Sequence, residues 1–173
     1  MNIHDNILML RALEPTDLDV LYRWENDEEL WHTSATITPF SRKQLWDYIE
    51  NYDGDIFRTH QLRLMIVEVA TYKVVGTLDL FDFDPINRRA YIGLLVDAAY
   101  SGKGYGYKAV KLIETYCVEL GLYQLAAIIP VKNVACIALF DKLGWTLSGT
   151  LKDWILRGDT PSDARFYQKL LET

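Results

Sequence analysis

The stretch "LLVDAAYSGKGYGYKAVKLIE", residues 94–114, places glycines at 102, 104 and 106, where a short apolar run gives way to an amphipathic one. Before it, "IGLLV" reads as a buried strand. After it, Ala109, Leu112, Ile113, Tyr116, Cys117 and Leu120 recur at helical spacing until Gly121 stops the pattern. Glycine weakens strands and helices alike, so its concentration at this handover raises the question of what it gives the chain there. A helix N-terminus offers unpaired N–H groups and about half a positive charge, and a glycine-rich turn leading into it lets those donors close around phosphate oxygens. Gly102, Gly104 and Gly106 remove side chains that would hold a diphosphate away, and Lys103 adds a cation. A plain flexible turn fits the same spacing. The P-loop spacing is absent. "GYGYKA" matches the dinucleotide pattern G-x-G-x-x-A, but the next strand, "QLAAIIP", ends in proline rather than the acidic residue that would hold a ribose.

The rest of the chain supplies a sheet for this turn. "ILMLRAL" reads as a first strand, and Thr16 with Asp19 offers a capping box for a helix through "DLDVLYRWEND". Ser41 and Gln44 form a second box, with Phe40 and Leu45 placed as a hydrophobic staple, for a helix over 42–51. "QLRLMIVEV", "VVGTLDLFDFD" and "RRAYIGLLV" alternate as strands joined by polar turns. "QLAAIIP" is a strand, "NVACIALFDKLG" a helix ending at Gly144, and "WTLSGT" and "ARFYQKLLE" are closing strands. The pattern predicts one α/β domain over residues 1–173, built on a mixed, mostly antiparallel sheet with one parallel crossover.

Charge narrows the partners. Twenty-four acidic and eighteen basic side chains leave a net charge of −6, which disfavours nucleic acid held by counterion release and suits a cationic or amine ligand. Cys117 and Cys136 fall in apolar helical patterns and read as small buried hydrophobes. The N-terminal residues lack a basic segment followed by a long apolar core, and no apolar run of about 18 residues occurs, so the expectation is a cytoplasmic protein without a membrane partner.

"IGLLVD", "AYSGKGYG", the helix to Gly121 and "NVACIALFDKLGW", in that order, resemble the acetyl-CoA core of the GNAT superfamily of N-acetyltransferases, whose loop reads Q/R-x-x-G-x-G/A. From "MLRALEPTDL" through "DPINRRAYIG" to "KLGW" the chain is similar to the branch containing spermidine acetyltransferases and the acetyltransferases of ribosomal-protein N-termini. The resemblance implies a twisted sheet with a splayed parallel strand pair and flanking helices, and acetyl-CoA as cofactor. It implies that Leu94, Leu95 and Val96 pair with the pantetheine arm, that the amides of Ser101, Gly102, Lys103, Gly104, Tyr105, Gly106 and Tyr107 hold the pyrophosphate, and that Asn133 reaches the amide arm, although Asn133 also fits a helix cap. Leu95 N–H is the expected oxyanion donor.

Three positions depart from the family. Ser101 stands where Gln or Arg is usual, Tyr91 where many relatives carry a glutamate base, and Phe140 beside the cofactor where the spermidine branch has a proton-donating tyrosine. Tyr91 is either a substitute hydroxyl or packing. Asp79 and Asp82 match acidic positions of the spermidine branch; alternation puts them on opposite faces unless a bulge intervenes, and Asp82 is the preferred catalytic carboxylate. Glu28, Glu29, Trp31 and His32 would form the acceptor wall, with Trp24 nearby; His32 lacks a partner at metal-ligand spacing, so no metal is expected. These readings converge on transfer of an acetyl group to a primary amine by direct attack in a ternary complex, with a polyamine-like acceptor preferred. A protein or peptide N-terminus as acceptor and a non-catalytic acyl-CoA-binding module are the alternatives. Aromatic C-terminal strands could pair two copies into a homodimer.

Overall fold

A computed structural model describes residues 3–31 and 38–171, with Trp31 described by its backbone alone. The chain runs β1 (Ile3–His4), β2 (Leu8–Ala12), α1 (Leu18–Glu25), α2 (Glu28–Trp31), α3 (Arg42–Glu50), α4 (Ile56–Thr59), β3 (Leu62–Glu68), β4 (Val74–Asp84), β5 (Arg89–Val96), α5 (Tyr105–Glu119), β6 (Gln124–Pro130), α6 (Val134–Lys142), β7 (Thr146–Arg157) and β8 (Thr160–Leu170). The eight strands form one sheet in the order β1-β2-β3-β4-β5-β6-β8-β7. Every described pairing is antiparallel except β5 with β6. The fold is the expected mixed sheet with one parallel crossover, made by α5.

Strand alternation sends side chains to two cores. On one face, Leu64, Ile66, Leu78, Leu80 and Ile92 meet Ala109, Val110, Ile113 and Cys117 of α5, joined by Ile137 and Phe140 of α6. On the other, Met65 and Val67 lie under Leu21 and Trp24 of α1 and Leu45 and Ile49 of α3. The Ser41–Gln44 capping box forms as the spacing predicts. The Thr16–Asp19 box does not: Glu14 and Asp17 make the reciprocal pair around a 3-10 turn, Pro15–Asp17, because Pro15 fits the first position of that turn. Asp17 is further fixed by a bidentate bond from Arg11 at 2.8 Å. The closing strands are longer than the apolar pattern suggests. β7 continues through "LKDWILR" as an exposed edge strand with two register shifts, where no buried face imposes alternation.

Gly76 permits a close approach of β5 to β4. A Cβ there would lie 2.1 Å from the Leu95 carbonyl oxygen, a contact only a backbone shift could relieve. Gly76→Ala is expected to cost about 3 kcal/mol in stability through overpacking, measured by denaturant unfolding; a change below about 0.5 kcal/mol would mean β5 moves freely there.

Candidate active site

The site begins where two strands part. β5 and β6 pair only at Arg89 with Gln124, Ala90 with Leu125 and Tyr91 with Ala126. Beyond Tyr91, β5 runs on to Val96 beside β4 while β6 runs on to Pro130 beside β8, which opens a wedge between them. The phase of the ladders shows which β5 groups face it. Asp97 N–H donates to the Val75 carbonyl at 2.9 Å, so Thr77 with Leu95 and Asp79 with Gly93 are the hydrogen-bonded pairs of the β4–β5 ladder. On the other edge, the Arg88 carbonyl accepts from the amides of Tyr123 and Gln124 at 2.6 and 3.3 Å. Even-numbered residues therefore turn their amides and carbonyls toward the wedge: Ile92, Leu94 and Val96. The expectation for Leu95 is corrected by this parity, since its amide turns to β4 and its side chain packs in the second core.

The glycine turn closes the mouth of the wedge. Gly102 and Gly104 sit at φ 75° and 77°, in the left-handed region that glycine enters without a Cβ penalty, and Gly104 is the N-cap of α5. Ser101 N–H is already bonded to the Ala98 carbonyl at 3.2 Å, so the run of available donors is shorter than expected at its start. The first helical bond is Lys108 N–H to the Gly104 carbonyl, at 3.2 Å; among the described residues, the amides of 102–107 have no acceptor. Lys103 lies over the Tyr100 ring at 5.2 Å, Lys142 over the Tyr107 ring at 5.4 Å, and the Tyr105 hydroxyl bonds Glu68. Gly106 lets α5 close on β5 and α6, since a Cβ there would touch Leu139 and Leu94 at 3.2 and 3.3 Å.

A buried carboxylate anchors the turn to α1. Asp97, 6% exposed, accepts from Trp24 Nε1 at 2.9 Å, Arg23 Nη2 at 2.7 Å and the Ala99 amide at 2.9 Å. Burial alone would raise its pKa, but the donated hydrogen bonds and the Arg23 charge hold it below the ordinary carboxylate value.

On the far side of the wedge, Asn133 caps α6 through Oδ1, which accepts from Cys136 N–H at 3.2 Å, leaving its Nδ2 donors free of partners among the described residues. Phe140 is 2% exposed and packs edge-on against Trp145 at 4.8 Å; it is a core residue here and presents almost no surface to a ligand. Burial pushes the Cys117 thiol up to about 12 and the Cys136 thiol up to about 11, so neither is a nucleophile at neutral pH.

The face of the sheet under α1 and α3 carries the remaining polar groups. Arg63 of β3 grips Asp79 of β4 through Nε and Nη2 at 2.7 and 3.0 Å and reaches Glu25 of α1 through Nη1 at 3.3 Å. Its guanidinium lies 5.7 Å from the Tyr48 ring, and the Tyr52 hydroxyl bonds its main-chain N–H and carbonyl. Burial would lower the Arg63 pKa, but the Asp79 bonds and the nearby charges hold it above the usual arginine value. Asp79 Oδ2 stands 3.9 Å, and Phe81 3.6 Å, from where a Cβ of Gly93 would be, so the absent side chain leaves a slot over β5 directly before Leu94. A cavity of about 220 Å³ adjoins the slot, lined by Tyr48, Tyr52, Gln61, Arg63, Asp79 and Phe81 among others. A bulge does intervene, between Phe81 and Asp84; Asp82 is its extra residue, exposed and at φ 49°, while Phe83 takes the inward place. Tyr91 stacks on Phe81 at 5.6 Å and meets Phe166 at 6.3 Å. Glu28 and Glu29 are exposed on α2; the Trp31 side chain and His32 lie outside the described residues. Among those, no group of His, Cys, Asp or Glu converges as metal ligands.

Comparison with known proteins agrees with this geometry. A family model described as an acetyltransferase (GNAT) domain matches residues 8–146. The chain belongs to the GNAT acetyltransferase family. It is 32% identical over 149 residues to an uncharacterized N-acetyltransferase, p20, of Bacillus licheniformis, covering 85% of this chain and 83% of that one. It is 27% identical over 151 residues to the spermidine N(1)-acetyltransferase of Escherichia coli K12, covering 82% and 74%. Among solved structures, RimL, a ribosomal alpha-N-protein acetyltransferase in complex with coenzyme A, superposes with a TM-score of 0.84 at 19% identity, covering 99% and 98%.

Within this GNAT chain, sequence reading missed Arg63, Tyr48, Tyr52 and the Asp97–Trp24 tie. Arg63 alternates with Leu62 and Leu64 in β3, and a charge on a strand face ordinarily reads as solvated; only the cross-strand register with Asp79 gives it a partner. Asp97→Ala would leave the Trp24 and Ala99 donors without acceptors and is expected to cost about 2 to 3 kcal/mol at pH 7. Because the folded pKa is depressed, the carboxylate's contribution is complete above the unfolded value of about 3.9 and fades as pH falls through the folded value. The stability gap between parent and variant, from denaturant midpoints, should therefore be flat from pH 7 to 5 and narrow below about pH 4; a gap that widened on acidification would contradict this role.

Proposed function

We propose that this GNAT protein transfers an acetyl group from acetyl-CoA to a primary amine on a small cationic acceptor, by direct attack within a ternary complex. The observation that carries the reading is the run of unpartnered amides at 102–107, set at the mouth of the wedge into which Leu94 and Val96 turn their own amides and carbonyls. The residues fit the cofactor: both left-handed glycines face open space, with nothing within 4 Å of a Cβ built on either. Amides 102–107 and the α5 N-terminus hold the diphosphate. Leu94 and Val96 hydrogen-bond the pantetheine arm as an added strand would, and Asn133 Nδ2 donates to an arm carbonyl.

Bound acetyl-CoA supplies an acetyl thioester. Leu94 N–H, next to the Gly93 slot, is the oxyanion donor. An alkylammonium has a pKa near 10.4 and must lose its proton before attack; Asp79, over the slot, is the nearest described carboxylate and receives that proton directly or through water, in place of exposed Asp82. Tyr91 and Phe81 form an aromatic floor for the acceptor, and Glu28 and Glu29 add negative charge at its entrance. Phe140 donates no proton, and little help is needed because a thiol of pKa near 8.5 leaves readily as thiolate. The spermidine N(1)-acetyltransferase relative and the chain's net charge of −6 support a small cationic acceptor over a protein N-terminus.

Thiol release from acetyl-CoA, followed across polyamines, amino sugars and peptides alongside calorimetry of coenzyme A binding, tests the reading. Amine-dependent thiol release is expected, whereas tight coenzyme A binding with no such release would point to a non-catalytic acyl-CoA-binding module. Gly104→Asp, which adds a negative charge and a Cβ at the helix mouth, is expected to weaken coenzyme A binding at least a hundredfold with the fold retained by circular dichroism; unchanged affinity would remove the diphosphate from the turn.

A further inference from the structure

The cavity beside the Gly93 slot offers a ligand rings and no net charge. Its two charged lining residues, Arg63 and Asp79, form one bidentate pair at 2.7 and 3.0 Å. The guanidinium fork is therefore filled and the two charges cancel. A second ammonium would gain no net Coulomb attraction from this lining, and a carboxylate would find no vacant fork. What remains for recognition is aromatic surface. Tyr48 of α3 and Tyr52 just beyond it meet edge-on at 5.7 Å, and the Arg63 guanidinium lies 5.7 Å from the Tyr48 ring. Phe81 forms a further wall and stacks on Tyr91 at 5.6 Å. Leu78, Leu80 and Phe83 of the same strand are buried, whereas Phe81 is 39% exposed, an apolar ring left open to a partner. The volume fits one ring. It is about 220 Å³, and ~150 Å³ is enough for a protein cavity to take benzene.

We propose that this cavity takes an aromatic ring and that the acceptor is an arylalkylamine, a primary amine on a short alkyl linker, with its ring among Tyr48, Tyr52 and Phe81 and its amine in the Gly93 slot for acetylation. The inference rests on the acetyl-transfer reading for the slot and names the acceptor class for it. The acceptor's one positive charge stays at the slot, and its uncharged body meets the neutral cavity. The linker is short because Asp79 and Phe81 border slot and cavity alike. Aromatic pairs gain from edge-to-face and offset contacts at centroid separations of ~4.5–7 Å, beyond the area they bury, so the cavity distinguishes an aromatic ring from a saturated one. A diamine would set its second ammonium against a pair with no charge to spare.

The test compares 2-phenylethylamine, 2-cyclohexylethylamine and 1,4-diaminobutane, in turnover and in calorimetric binding to the coenzyme A-loaded protein. The aryl amine is expected to exceed the diamine at least tenfold, and the saturated ring about threefold, in both affinity and kcat/KM, with the differences mainly in KM. Phe81→Leu, on the partly exposed wall, is expected to bring the aryl and saturated amines to about equal affinity, and Tyr48→Leu, on the opposite element, to do so independently should Phe81→Leu disturb β4. Equal affinity of the parent protein for the aryl and saturated amines, tighter binding of the diamine than of the aryl amine, or an aryl preference untouched by either variant would overturn the subsite. An aryl preference in binding without turnover of any amine would retain the subsite and refute the transfer reading, whereas turnover of the diamine alone would retain transfer and refute the subsite, so the two fail separately.

Discussion

The parting of β5 from β6 after Tyr91 governs the rest of the molecule. A parallel pair that ran to the end of both strands would satisfy its own main-chain groups and leave nothing for a ligand. Because the partners diverge, Leu94 and Val96 present unpaired edge groups inside the fold rather than on its rim. An internal edge of this kind would be a liability if left open to other chains, and the two flanking helices restrict access to it. α5 closes on one end through Gly106, which touches β5 and α6 at once. The face of the sheet under α1 and α3 carries the Arg63 cluster.

Both regions are held by charge as well as packing. Asp97 ties the turn after β5 to α1 through Trp24 and Arg23; Arg63 ties β3 and β4 to the same helix through Glu25 and Asp79. α1 is thus fastened to the turn after β5 and to the face of β3 and β4 by separate ionic clusters. Another buried carboxylate, Glu114 of α5, accepts from Trp145 Nε1 at 2.8 Å and pairs with Lys111, fixing α5 to the segment that leads from α6 into β7. Each cluster joins elements distant in sequence. Hydrophobic contact alone gives adhesion with little register, whereas these directional bonds fix the elements' relative placement.

The legible parts of the sequence were those with strong local rules. The glycine turn, the Ser41–Gln44 box, the strand "VVGTLDLFDFD" and the position of the parallel crossover follow from spacing and turn chemistry over a few residues. What stayed hidden depends on register. The difference between Leu94 and Leu95 as a donor is the parity of a ladder, which no residue type encodes. The choice of Asp79 over Asp82 turns on a bulge at Asp82 and on Arg63, sixteen positions away from Asp79. The continuation of β7 through Lys152 and Asp153 was invisible because an exposed edge needs no alternation, and Phe140 reads as a groove residue until its packing on Trp145 shows it in the core.

The proposed cofactor cradle is built from main-chain amides of one strand and one turn. Amide hydrogen exchange, resolved by residue with and without coenzyme A, tests it most directly. Binding is expected to slow exchange at Leu94 and Val96 and across 102–107, while Leu95, already turned to β4, changes little. Protection elsewhere with those amides exchanging as freely as before would contradict it.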